Sequence, residues 1–153
     1  MIEFSLYSGS RELLAPLFSE ADDSESQIAS YRELGDVLVA IENGHILGHA
    51  QIVETRETGV VELKSLAVRE DRRCQGIGTA LVAASLAHCR NRDAQSVLVA
   101  TAAASIGALK FYQRQGFRIK RVIRDFYSPV RGYQPRRLNG IPLLDEVILD
   151  LAL

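Results

Sequence analysis

The fold is decided by the stretch Leu66-Ala67-Val68-Arg69-Glu70-Asp71-Arg72-Arg73-Cys74-Gln75-Gly76-Ile77-Gly78-Thr79. Its first residues close a run that begins at Val60, mixes apolar and polar residues, and predicts a strand whose two faces differ. Its last residues open a stretch from Gly78 to Cys89 that is rich in Ala and Leu at helical spacing and predicts a helix. The glycines at this junction let the backbone turn tightly and let a ligand approach closely.

A glycine loop between a strand and a helix is an anion site, because the first helical turn presents unpaired N–H groups and the positive end of the helix dipole. The motif Arg73-x-x-Gly76-x-Gly78 therefore predicts a pyrophosphate cradle, to which Arg72, Arg73 and the Thr79 hydroxyl are expected to add donors. A Walker loop is excluded because its Gly-Lys-Ser/Thr end is missing. A dinucleotide fingerprint is excluded because its third small residue would fall near Leu81.

The residues on either side of the cradle predict one mixed sheet. Before it, alternating apolar residues near the N-terminus, short helices over 11–19 and 24–34, and turns at Asn43-Gly44 and Thr58-Gly59 predict an antiparallel meander. After it, the pattern predicts a strand over 96–100, a helix over 105–115, a strand over 117–126, a long loop over 128–142 and a closing strand over 143–151. This order predicts an α+β fold, with a mixed, mostly antiparallel sheet of about six to seven strands and helices on both faces.

Composition narrows the class of protein. The length of 153 residues suits a single domain over 1–153. The net charge of −1 gives no field that attracts nucleic acid, and no apolar run is long enough to span a bilayer. The cysteines Cys74 and Cys89 form no disulfide framework, and the N-terminus lacks an export signal, so we expect a cytoplasmic protein. The three histidines have no ligand spacing, so we expect no metal.

With these motifs in place, the chain resembles the GNAT superfamily of acyl-CoA N-acyltransferases. The resemblance rests on Leu66-Ala67-Val68 leading into Arg73-x-x-Gly76-x-Gly78, on the helix that begins there, and on the later segment Ala108-Leu109-Lys110-Phe111-Tyr112-Gln113-Arg114-Gln115-Gly116-Phe117. It is specific from Val60 to Phe126. It implies the GNAT fold and an N-acetyltransferase whose cosubstrate is acetyl-CoA.

The resemblance assigns the residues that bind the cosubstrate. In the family, the strand before the cradle carries a bulge and splays from the next strand, and the pantetheine lies in the resulting slot. The main chain of Leu66, Ala67 and Val68 would line that slot, with an N–H near Val68 polarising the thioester carbonyl. The pyrophosphate would lie on the cradle formed by Arg73, Cys74, Gln75, Gly76, Ile77, Gly78 and Thr79. Ser105 stands where many members have an asparagine that contacts CoA, and its alternative role is a helix N-cap.

Two residues match the family's proton-transfer groups. Tyr112 matches the general acid that protonates the departing thiolate, and its alternative role is a core aromatic on an amphipathic helix. Glu62 lies where several members place a base, and a carboxylate is needed there, directly or through a water, because an amine with a pKa near 10 arrives protonated. The alternative for Glu62 is a solvent-facing strand residue.

The acceptor is predicted from charge and from the whole-chain likeness to bacterial small-molecule acetyltransferases, some of which act on aminoglycoside antibiotics. Acidic residues gather in the early segment that forms the family's substrate side, and Asp22, Asp23 and Glu25 are the candidate contacts to a small cationic amine. The alternatives are an enzyme that acetylates protein or peptide amines and a non-catalytic acyl-CoA-binding module. The closing strand is a candidate for pairing across a homodimer, as in many relatives.

Overall fold

The computed structural model describes residues 1–153, in which a seven-stranded sheet carries helices on both faces. The strands are β1 (Glu3–Leu6), β2 (Asp36–Glu42), β3 (His45–Glu54), β4 (Val60–Val68), β5 (Ser96–Ala102), β6 (Arg118–Ile123), β7 (Arg137–Leu138), β8 (Ile141–Pro142) and β9 (Glu146–Ala152). The α-helices are α1 (Ala15–Ala21), α2 (Glu25–Tyr31), α3 (Ile77–Asn91) and α4 (Ile106–Arg114). Short 3-10 turns cover Arg11–Leu14, Glu70–Arg72 and Pro129–Arg131. None of the helices combines the length and apolar character needed to cross a membrane.

The strand order is β1-β2-β3-β4-β5-β9-β6, and only the β4–β5 pair is parallel. The predicted α+β fold with a mixed, mostly antiparallel sheet is confirmed. The turn between β2 and β3 shows why the sequence was informative here: Asn43 and Gly44 both have positive φ, at 50° and 77°. A type I′ hairpin turn requires that conformation at both central residues.

Alternate residues of the central strands face two different apolar clusters. Leu38 and Ala40 pack into the cluster that includes α3 residues, whereas Val37 and Val39 pack into the cluster with α1 and α2. Because side chains of a strand alternate between faces, the two clusters lie on opposite sides of the sheet. The sheet therefore separates an α3 side from an α1–α2 side.

The C-terminal third differs from the prediction. The segment predicted as a long loop over 128–142 contains a 3-10 turn and the β7–β8 hairpin, β6 ends at Ile123, and the last strand begins at Glu146. The hairpin turns at Asn139 and Gly140, whose φ angles are 53° and 73°. The sequence carried this signal, because Asn139-Gly140 is the same dipeptide that makes the β2–β3 turn.

Candidate active site

A β-bulge interrupts β4 at Lys64. Gln51 of β3 pairs with Ser65, but its neighbour Ile52 pairs with Leu63, so Lys64 is the extra residue. The bulge changes which side chains reach each face: Leu63 packs into the α3-side cluster and Leu66 packs against it, although the two lie three positions apart. The bulge thus turns the end of β4 so that Leu66 faces α3.

Beyond the bulge, β4 and β5 separate. They pair in parallel only from Val60 with Ser96 to Leu63 with Val99. After that point β5 continues with β9 as its partner, while β4 continues with β3 as far as Val68. The edge of β4 from Lys64 to Val68 therefore lacks a strand partner on the β5 side, which leaves a gap between the two strands.

The main chain of Leu66 and Val68 points into this gap. The Arg69 N–H donates to the Leu47 carbonyl oxygen of β3 at 2.8 Å. Because antiparallel strands alternate between residues bonded to the neighbour and residues pointing away, Ala67 shares the orientation of Arg69. Leu66 and Val68 have the opposite orientation. The Val68 carbonyl accepts a bond from Arg73 Nε at 3.2 Å. The Val68 N–H is therefore the main-chain group of this residue that remains for a ligand in the gap.

The predicted cradle lies where β4 leads into α3. Gly76 precedes the helix as its N-cap residue in the left-handed conformation, with φ of 81°, and Cys74 also has a positive φ of 61°. A Cβ at Gly76 would meet no atom within 4 Å, so the open space there is exposed to a ligand. The N–H groups of the first turn, which begins at Ile77, have no partners inside the helix. The loop has the form of an anion site made of main chain.

The arginines beside the cradle are engaged elsewhere. Arg73 forms an ion pair with Glu20 at 2.7 Å, and Arg72 forms one with Glu42 at 2.7 Å. The Thr79 hydroxyl oxygen accepts a long bond of 3.4 Å from the Gln115 amide. The two arginines are therefore near the cradle but directed toward protein partners, whereas the Thr79 hydroxyl, which only accepts here, keeps its own hydrogen as a donor.

A cleft of about 200 Å³ opens on the α1–α2 side of the sheet. It lies where β4 and β5 separate, since residues from both strands line it. Five carboxylates and two cationic side chains are among its lining residues: Glu20, Asp22, Asp23, Glu62 and Glu146, with Lys64 and Arg136. The cleft is acidic, and its remaining polar lining includes Tyr127 and Tyr133.

The three residues predicted to contact the acceptor amine have different surroundings. Asp22 accepts bonds from the Tyr31 hydroxyl at 2.9 Å, the Tyr133 hydroxyl at 2.7 Å and the Ser24 N–H at 3.1 Å. Asp23 forms an ion pair with Arg136 at 2.7 Å. Glu25 is exposed on α2 and does not line the cleft. Asp22 is therefore mainly occupied in holding the cleft wall together.

Glu62, the candidate base, lies in the wall of the cleft. Its carboxylate is 3.6 Å from Lys64 Nζ, and its side chain is 24% exposed. Lys64 in turn lies over the Tyr31 ring at 4.9 Å from the centroid. Glu62 and Lys64 both lie on the α1–α2 side, because the residue between them, Leu63, faces the α3 side. Glu62 is open there to an approaching cation.

Sequence reasoning missed Glu146, which is the most buried carboxylate of the cleft. It is 8% exposed, lines the cleft at the start of β9, and forms no ion pair. Burial raises the pKa of its carboxyl group to about 7, and the nearby carboxylates of Glu62 and Asp22 add to the increase. In the sequence it looks like a polar strand end before the apolar run Val147-Ile148-Leu149, so no signal marked it.

Tyr112 lies on the α3 side of the sheet. Its ring is 9% exposed and packs edge-on against Phe111 and Phe117, with centroid separations of 5.2 and 5.8 Å. The side chains of Leu66 and Val68 pack against the same cluster as Tyr112. Tyr112 therefore lies on the same side of the sheet as these two side chains. Burial raises the pKa of its hydroxyl, which is therefore protonated throughout the physiological range.

Ser105 stands at the N-cap position of α4, but its side chain makes no capping hydrogen bond. It lines the cleft beside the end of β5. The neighbouring Ala104 carbonyl accepts a bond of 3.0 Å from the Asn139 amide, which ties the β7–β8 hairpin to this end of the cleft. No group of three or more His, Cys, Asp or Glu side chains in the chain is arranged to hold a metal ion.

Comparison with known proteins gives this geometry a family. The family model described as acetyltransferase (GNAT) family matches residues 7–117. The chain belongs to that family, and it is an N-acetyltransferase. The resemblance that the sequence showed is thereby confirmed at the level of the family.

Relatives and solved structures agree over nearly the whole chain. A Bacillus subtilis protein named uncharacterized N-acetyltransferase YvbK is 31% identical over 134 residues, which are 87% of this chain and 84% of that protein. A GNAT family acetyltransferase from Elizabethkingia anophelis with acetyl-CoA bound has a TM-score of 0.91 and 27% identity, covering 99% of this chain and 98% of that one. A Bacillus subtilis acetyltransferase in complex with CoA has a TM-score of 0.90 and 29% identity, covering 100% and 99%.

Proposed function

We propose that this N-acetyltransferase transfers the acetyl group of acetyl-CoA to a primary amine of a small cationic molecule. The observation that supports this acceptor class is the charge of the cleft, whose lining includes five carboxylate side chains and only two cationic side chains. Such a surface attracts a polycation and raises its local concentration. Polyamines and aminoglycoside antibiotics are the cationic amines to test first, the latter because of the whole-chain likeness seen in the sequence.

The residues of the gap and the cradle suit acetyl-CoA as the donor. An extended pantetheine can pair with the main chain of Leu66 and Val68 as an added strand does, and the Val68 N–H is directed toward that space. The pyrophosphate matches the free N–H groups after Gly76, where no protein atom occupies the space that a Cβ would fill. Structures of two relatives that hold acetyl-CoA or CoA support this donor.

The two faces of the sheet then have different tasks. The donor lies on the α3 side, the amine enters the acidic cleft on the α1–α2 side, and the gap between β4 and β5 joins them. Glu62 attracts the ammonium group and, directly or through a water, receives its proton, so that the nitrogen gains a free lone pair. Ser105, whose hydroxyl caps nothing, is available to either substrate at the rim.

We assign to Tyr112 the role of stabilising the departing CoA thiolate. Its hydroxyl stays protonated because burial raises its pKa, and it is free to donate to sulfur. A thiol has a pKa near 8.5 and tyrosine one near 10, so the tyrosine hydroxyl is the weaker acid. The hydroxyl therefore stabilises the thiolate by donating a hydrogen bond. It gives up its proton to the sulfur completely only when another proton is delivered to the tyrosine oxygen. The nitrogen–carbon bond forms as the carbon–sulfur bond breaks.

A thiol-release assay with acetyl-CoA tests the proposal against polyamines, aminoglycosides, neutral amines, amino acids and peptides. We expect kcat/KM to be at least about tenfold higher for the polycations, and to fall as salt screens the cleft. The Glu62→Gln variant should lose most of this activity, whereas the control Glu57→Gln, at an exposed turn, should keep it. Preference for peptides would support a protein acetyltransferase, and binding without turnover of any amine would support a non-catalytic module.

A further inference from the structure

We infer that Glu146 is the carboxylate on which the proton of the substrate ammonium group comes to rest, with Glu62 as the carboxylate that meets the cation. The inference rests on the proposed function and adds a proton acceptor that the family resemblance did not indicate. The Glu146 carboxylate is 8% exposed, lines the cleft and has no ion pair. Burying a charged group without a partner costs folding free energy. A carboxylate buried in this way in a cleft is therefore a candidate functional residue.

Groups from three elements and from the loop before the 3-10 turn lie near Glu146. β4 contributes Glu62 and Lys64, the end of α1 contributes Asp22, and the 3-10 turn contributes Arg131. Tyr127, which precedes that turn, also lines the cleft, and the charge of Glu146 contributes to raising the pKa of its hydroxyl. The two cations stabilise the ionised carboxylate and the two carboxylates oppose it, so burial decides the balance and favours the protonated form.

This balance makes Glu146 a better proton acceptor than an ordinary carboxylate. An ammonium ion with a pKa near 10 transfers its proton to a carboxylate of pKa near 4.3 with an equilibrium constant of about 10⁻⁶. For Glu146, with a pKa of about 7, that constant is about 10⁻³. A base whose pKa lies near the operating pH is also the most efficient one.

The protons of the reaction balance with this assignment. The ammonium nitrogen loses one proton to Glu146, directly or by way of Glu62 and water, and its lone pair bonds to the acetyl carbon. The second proton leaves the nitrogen as the amide forms and goes to the departing sulfur, with the Tyr112 hydroxyl between. Glu146 then returns its proton to solvent through the cleft, so each turnover releases one amide, one thiol and one proton.

Kinetics of Glu146→Gln against Asp150→Asn test the inference. Asp150 is the matched control because it lies on the same strand but is exposed beside Lys120. In the wild type we expect kcat/KM to rise with pH through a limb near 7, where Glu146 loses its proton. Glu146→Gln should lower kcat/KM by about 10²-fold or more and remove that limb, with the KM for acetyl-CoA unchanged. Glu146→Asp, which keeps a carboxylate, should recover part of the rate.

A measurement without substrate checks the ionisation itself. The folded pKa of about 7 lies above the unfolded value of 4.5, so the unfolded state loses its proton first as pH rises. Wild type should therefore lose stability relative to Glu146→Gln as pH rises from about 4.5 to about 7, and the Tm difference should then level off. A Tm difference that does not vary with pH would overturn the inference.

The outcomes separate this inference from the proposed function. An active Glu146→Gln variant with an unchanged rate and pH profile overturns the role of Glu146 and leaves the acetyltransferase assignment to small cations in place. A wild-type enzyme that acetylates only peptides or neutral amines overturns the acceptor class. A wild-type enzyme that acetylates no amine overturns both.

Discussion

Arg73 and Glu20 form an ion pair of 2.7 Å that joins the loop before α3 to the end of α1. The contact connects the loop predicted to be the cradle to a carboxylate that lines the acidic cleft. Both side chains are about half exposed, at 47% and 49%, so the pair contributes at most about 1 kcal/mol to stability. Its greater consequence is for charge, because the Arg73 guanidinium is held by a protein carboxylate instead of facing the cradle alone.

Substitution of Arg73 and substitution of Glu20 should therefore change the affinity for acetyl-CoA in opposite directions. Arg73→Gln should raise the KM for acetyl-CoA severalfold, because it removes a cation beside the pyrophosphate, and Glu20→Gln should lower it by releasing that cation. Both effects should shrink at high salt. Arg69→Gln, whose exposed partner is Asp71, is the control. Equal KM values in all three variants would show that Arg73 takes no part in binding.

Substitution of Gly76 should abolish binding of acetyl-CoA. Gly76→Glu places a charged side chain in the open space of the cradle and repels the pyrophosphate. Any residue there also costs about 1–2 kcal/mol, because φ is 81°. Gly140→Glu is the matched control, since Gly140 has φ of 73° and equally open surroundings in the β7–β8 turn. Isothermal titration should detect binding to the control only, and binding to Gly76→Glu would mean that the cradle lies elsewhere.

Removal of the Tyr112 hydroxyl should lower turnover without loss of stability. Tyr112→Phe keeps the buried ring and its contacts with Phe111 and Phe117, so we expect a Tm close to that of the wild type. If the hydroxyl stabilises the thiolate, kcat should fall by about 10²-fold. Tyr7→Phe, which loses a hydroxyl bond to the Ser10 carbonyl far from the site, should keep its kcat. An unchanged kcat in Tyr112→Phe would leave Tyr112 as a core aromatic.

Asp22 should prove more important for stability than for direct binding. Asp22→Asn weakens bonds to two tyrosine hydroxyls and one N–H, and we expect it to cost about 1–3 kcal/mol of unfolding free energy. Asp23→Asn breaks a single exposed ion pair and should cost less than about 1 kcal/mol. Urea denaturation compares the two. A stable Asp22→Asn protein with a raised KM for the amine would instead identify Asp22 as a substrate contact.

Local patterns predicted the elements well, because they depend on residues close in sequence. The Asn43-Gly44 turn, the capping of α2 by Ser24, and the start of α3 at the glycine loop all follow from local backbone chemistry. The Ser24 hydroxyl accepts a bond from the Gln27 N–H at 3.3 Å, as a capping box requires. The Asn139-Gly140 turn has the same kind of local signal, but it lies in a segment rich in Pro and Arg, whose composition predicts a loop.

The sequence by itself determined the family, the sheet class and the glycine loop between β4 and α3, because a strand, a glycine loop and a helix are consecutive in the chain. Only the tertiary structure decided the cleft. Its wall depends on a bond of 2.7 Å between Tyr133 and Asp22, residues 111 positions apart. Its most buried carboxylate, Glu146, acquires its raised pKa from groups on other elements. Desolvation and charge coupling arise when distant segments meet, so no local pattern records them.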